Sequence, residues 1–181
     1  MARDPLVELL DEARAADAGA ARIQERSLRR QAEEDAALGG LLVDLAESGS
    51  TVTVRTVAGA VHHGVVRAVG ADFCVLRGER GSELLVSVAA LSTVRPHPGE
   101  RHQPATGRRR PPSGVRLLDH LATLVAERPQ VAVGTRDGEV VTGELQAVGT
   151  DVVTVALDGD PRAVCYLSAS SMCDVVVLRS G

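Results

Sequence analysis

The chain has 181 residues, enough for one large domain or two small ones. Its hydrophobic share is 44%, yet only Phe73 and Tyr166 are aromatic, so a core must be packed from Val, Leu and Ala. All 20 basic residues are arginine and the net charge is −4, which argues against a surface coated for polyanions while leaving room for a local basic patch.

Residues 5–37 predict one long helix. Pro5 suits a first helical turn, and the following positions are mostly Ala, Glu, Arg, Leu, Gln and Asp. Leu6, Leu10, Ala13, Ala20 and Ile23 form a thin apolar stripe, and beyond Ile23 charged residues crowd the surface. A solvated helix and a weak coiled coil both fit this pattern. Gly39 and Gly40 then permit a break before a short amphipathic turn at residues 41–45. The charged start (Arg3, Asp4, Glu8, Asp11, Glu12) argues against a secretory leader, and no run reaches the roughly 18 apolar residues of a membrane span. A cytoplasmic setting is expected, with Cys74, Cys165 and Cys173 as buried thiols rather than a disulfide framework.

Sliding the sequence against itself by 79 residues places Gly59 on Gly138, Val52 on Val131, Val54 on Val133 and Gly64 on Gly143 without a gap. Gly70 falls on Gly149 and Asp72 on Asp151, and Leu42 and Leu45 of the leading helix fall on Leu121 and Leu124. Past the shared Asp the second copy is two residues longer, after which Leu91 matches Met172 and Val94 matches Val175. Each copy reads as a helix followed by a strand (52–56; 131–135) and a turn at Gly59 or Asp137-Gly138. A long strand bent at Gly64 or Gly143 comes next, then a third strand (73–77; 152–157). A fourth strand running into a fifth (84–94; 164–178) ends the copy. Such short, bent strands predict a mainly β chain of two tandem five-stranded small barrels, each preceded by a short helix, behind an N-terminal helix. The expected domains are 1–38 (helix), 39–96 (first barrel), 97–116 (a Pro- and Arg-rich linker) and 117–181 (second barrel).

The helix, the strand, the Gly-x4-Gly spacing and the apolar residues Val66 and Val69 (Leu145 and Val148 in the second copy) resemble Sm-like domains of the SH3-like barrel class. The Val-Gly-x-Asp turn at residues 69–72 and 148–151 is also similar to other SH3-like barrels, such as the C-terminal domain of a ribosome-maturation factor. The resemblance implies ring-forming RNA binding. The chain departs from the family at its base-binding positions. Gly70 and Gly149 stand where the family has an Asp, and Val86-Ser87-Val88 and Tyr166-Leu167-Ser168 stand where it has Arg-Gly and a polar residue.

His62-His63 is the most metal-like pair, but strand neighbours point to opposite faces and cannot hold one ion together. Asp72 and Asp151 follow a glycine in a tight turn, where a carboxylate bonds nearby amides and fixes the strand's direction. The glycine-rich and hydrolase motifs of enzymes are missing from the sequence, so neither a catalytic site, a metal, a cofactor nor a small-molecule substrate is expected. Arg101, Arg108, Arg109 and Arg110 concentrate positive charge in the linker. Residues 97–116 sum to +4, against −5 for residues 117–181. The expectation is therefore a non-catalytic interaction protein that self-associates or binds a protein partner. The alternative is an RNA-binding protein using those linker arginines with Arg55, Arg67 and Arg77 of the first copy.

Overall fold

Runs of alternating valine become strands because a branched Cβ fits a pleated surface buried on one face. In the computed structural model, residues 5–34, 36–78, 81–98, 110–159 and 163–178 are described. The first half contains helices α1 (Pro5–Glu34) and α2 (Leu38–Ser48) and strands β1 (Thr51–Thr56), β2 (Val61–Val69), β3 (Phe73–Arg77), β4 (Glu83–Ser87) and β5 (Leu91–Pro96). The second contains α3 (Leu117–Leu124) and strands β6 (Gln130–Thr135), β7 (Val140–Val148), β8 (Val152–Leu157), β9 (Val164–Ser168) and β10 (Met172–Leu178). In each half a three-residue 3-10 turn, Val88–Ala90 or Ala169–Ser171, separates the fourth strand from the fifth.

The expectation of two separate closed barrels does not hold. All ten strands form one antiparallel sheet in the order β5-β1-β2-β3-β4-β10-β6-β7-β8-β9. A self-contained barrel needs its last strand to close on its fourth. Among the described residues β5 pairs only with β1, and the vacant side of β4 pairs with β10, as Asp174 opposite Val86, Val175 opposite Leu85 and Val176 opposite Leu84. Backbone groups that closure would have satisfied are thus satisfied by the other half of the chain.

The helical expectation for residues 5–37 is also corrected. α1 ends at Glu34, and Gly39 and Gly40 lie inside α2 rather than at a break. Gly40 is buried on the face that packs over β2 with Leu42, Val43 and Leu45, where a small residue suits close approach. In α1, residues 20–31 are all exposed, including Ile23 and Leu28.

Within each half the pairing registers correspond. Val52 faces Gly64 and Val131 faces Gly143, and the bulges fall at Val66/Ala68 and Leu145/Ala147. The two glycines share a cause. A Cβ on Gly64 would strike the Arg77 carbonyl, and one on Gly143 the Ala156 carbonyl. The core comprises two clusters, one under each half, and they interlock: Phe73 and Leu85 of the first half belong to the second cluster, and Val176 packs against the first.

Candidate interaction interface

The place where the halves meet is built from four contacts, with a backbone bond and a ring stack beside the last of them. The first is the β4–β10 ladder, which leaves Leu85 only 2% exposed and buries Val86 and Val175 fully. The second involves Asp174, buried beside the ladder with Oδ2 3.4 Å from Nε2 of His62. Its carboxylate fills the space that a Cβ on Gly134 would need, which accounts for a glycine inside β6.

The third contact is Arg136. Its Nε donates to the Ser170 carbonyl at 2.8 Å and its Nη2 to the Ala89 carbonyl at 3.1 Å, tying the 3-10 turns of both halves together. The fourth is Asp72. Its Oδ1 accepts from the Leu117 backbone N–H at 2.7 Å, and its Oδ2 lies 3.3 Å from Nε of Arg116. The carboxylate thereby serves an orphan amide at the start of α3, 45 residues away, while Asp119 Oδ2 accepts from the Arg116 N–H. This corrects the expectation of a local turn bond at Asp72. Beside it, the Ala71 N–H donates to the Val115 carbonyl at 2.8 Å, and a Cβ on Gly70 would meet that same carbonyl. Phe73 stacks on His120 with ring centroids 5.8 Å apart.

Asp151, the repeat counterpart of Asp72, is exposed, and its carboxylate has no partner among the described residues. The outer strands of the sheet, β5 and β9, have one hydrogen-bonded neighbour each. On β9, Val164 and Tyr166 are exposed, Tyr166 by 73%. Tyr166 occupies in β9 the place that Leu85 holds in β4, counting back from the serines, Ser87 and Ser168, that end the two strands.

The arginines read as RNA contacts do not converge. Arg101, Arg108 and Arg109 lie outside the described residues, and Arg110 is exposed. Arg67 and Arg77 line one shallow depression with His63, but Arg77 is paired with Glu83 at 3.3 Å. Arg55 sits at the other end of β1, opposite Val61. The two histidines diverge as strand neighbours should: His62 faces Asp174, and Nδ1 of His63 is 2.8 Å from Oγ1 of Thr53. Gly59 and Gly138 turn their hairpins at φ of 90° and 91°.

All three cysteines are free. Burial pushes the Cys74 thiol up to about 12, and burial also raises that of Cys173. The Asp137 carboxyl is held below its ordinary range by hydrogen bonds from the Thr135 hydroxyl and the Glu139 amide. Among the described residues, no group of three or more His, Cys, Asp or Glu could hold a metal ion, and no helix is long and apolar enough to cross a membrane.

Nothing in the sequence marks the junction itself, because an edge strand that finds a neighbour has the same alternation as one that does not. The only sequence signal bearing on it was the repeated Gly-x-Asp turn. Compared with protein-family models, with curated proteins and with solved structures, the chain matches none.

Proposed function

We propose that this is a non-catalytic interaction protein that self-associates through the two free edges of its sheet. The observation that carries this reading is the β4–β10 ladder. The fourth strand of one half accepts the fifth strand of the other, and the chain ends with one unused fifth strand (β5) and one unused fourth strand (β9). Repeating the internal register between copies sets Leu167 opposite Thr93, Tyr166 opposite Val94 and Cys165 opposite Arg95. An exposed tyrosine then lies against a half-buried valine, as Leu85 lies against Val175.

Such a contact is heterologous, so copies add head to tail and either close into a ring or run on as a filament. The resemblance of both halves to Sm-like domains, whose members associate through edge strands, points the same way. The three free cysteines support a cytoplasmic setting as part of this reading.

Sedimentation equilibrium on the full chain tests it. Masses above the 18.9 kDa monomer are expected. Tyr166→Asp should weaken association tenfold or more, by about 1.4 kcal/mol, because it sets a charge into the new ladder. A monomer at every concentration overturns the reading. Binding of generic single-stranded RNA that falls steeply with salt, and is lost on replacing Arg67 and Arg77 with alanine, would transfer the function to nucleic acid.

A further inference from the structure

We propose that Asp151 of one copy caps the N-terminus of α2 in the next copy, doing between chains what Asp72 does for α3 within the chain. The inference rests on the self-association reading and adds a second, independent contact to the strand ladder.

Both sides are present, and neither has a partner among the described residues. The repeat offset that superposes Asp72 on Asp151 also superposes Arg116 and Leu117 on Ala37 and Leu38. Both helices are entered by an extended residue, Arg116 at φ −95°, ψ 162° and Ala37 at φ −113°, ψ 147°. Among the described residues no side chain caps α2, and Gly40 stands where α3 has Asp119, the residue that holds the Arg116 N–H. Ala36, Ala37 and Leu38 are exposed, with Pro111 lying beside Gly39 one residue further in.

The turn that presents Asp151 is already set as its counterpart is. The Asp151 carbonyl accepts from the Ala169 N–H at 2.8 Å, as the Asp72 carbonyl accepts from the Val88 N–H at 2.9 Å. Asp151 thus sits in the same backbone arrangement from which Asp72 reaches the Leu117 amide.

The surroundings match as well. Where Phe73 stacks on His120, the joint between copies brings together Val152 and Leu41, both half-buried and apolar. Where the Ala71 N–H meets the Val115 carbonyl, the exposed Thr150 N–H meets the carbonyl of Ala36. The bare Gly149 leaves room for it, as Gly70 does for Val115. The occupant is thus a second copy of this chain, chosen by continuity with a junction the chain already makes with itself.

Sedimentation equilibrium of the full chain, paired with hydrogen exchange at the Leu38 and Gly39 amides, tests the cap. Asp151→Ala should raise the dissociation constant about fivefold, and Asp151→Asn should leave it near wild type, since both Asp and Asn cap well. Protection of the two amides should rise with wild-type concentration and not with that of Asp151→Ala. Ala37→Arg supplies the counterpart of Arg116 and should tighten association only when Asp151 is present. Monomeric wild type at all concentrations would sink the self-association reading. Wild type that assembles while Asp151→Ala assembles equally well, with Leu38 and Gly39 unprotected in both, overturns the cap alone.

Discussion

Strands β4 and β9 hold equivalent places in their halves but have opposite environments. Leu85 at the centre of β4 is 2% exposed because β10 lies against it, and its counterpart Tyr166 at the centre of β9 is 73% exposed. The same contrast separates β10, whose first four residues are all buried, from β5, where Ser92, Thr93 and Arg95 face solvent. One sequence pattern, used twice, therefore yields a covered edge and an open edge, and the neighbour decides the burial.

The sharpest way to break that comparison is to truncate both members. Leu85→Ala should lower stability by about 2–5 kcal/mol in chemical denaturation, the cost of a core cavity. Tyr166→Ala should move the stability of the dilute monomer by no more than about 0.5 kcal/mol. Equal losses would show that the two edges are not different in kind. Next in size, Gly143→Ala should cost about 1–3 kcal/mol, since its methyl would meet the Ala156 carbonyl, and Gly64→Ala should cost a similar amount at the Arg77 carbonyl. A loss at only one of them would mean that the halves tolerate crowding differently.

Asp72→Ala should lower stability by about 1–2 kcal/mol through the uncapped Leu117 amide, and Asp151→Ala should leave the monomer unchanged. Thermal unfolding of the two variants at low concentration reads this directly.

The hairpin turns offer a smaller test. The Thr135 hydroxyl donates to the Asp137 carboxylate, but the matching Thr56 hydroxyl is buried without a partner because Ala58 stands in place of Asp137. Ala58→Asn supplies a neutral acceptor there and should stabilise by about 1 kcal/mol. In the second half the Asp137 carboxyl lies below its unfolded value. Its contribution is therefore present above that value and declines as pH falls towards the folded one. The acid side of the melting-temperature profile should flatten in Asp137→Ala, with no change at neutral pH other than the loss of the bond.

Much of this was legible in the residues. Period-two valines located the strands, β3 and β8 falling on the expected residues, and the repeat, unbroken as far as Asp72 and Asp151, announced two equivalent halves. Gly64 and Gly143 stood out in the sequence as bends, and the structure adds that each leaves room for a carbonyl where a side chain would begin. What could not be read was which strand lies beside β4. Pairing through backbone groups is indifferent to side-chain identity, so closing on β5 and joining β10 carry the same pattern. The role of Asp72 was hidden for a related reason, because its partner amide is distant in sequence and belongs to Leu117, whose side chain takes no part in the bond. The helix break was misplaced because glycine signals permission to bend rather than an obligation, and packing on β2 kept Gly39 and Gly40 helical.

The two helices are preceded by different stretches, α3 by residues 110–116 and α2 by residues 36–37, with α1 before them in the sequence. In an array of copies, joints within a chain and joints between chains would alternate. Only the latter would sit next to a long charged rod with Ile23 and Leu28 uncovered. The spacing of such rods along the array would be set by the sheet rather than by the rods, giving whatever docks on them a ruler of two repeats per mark.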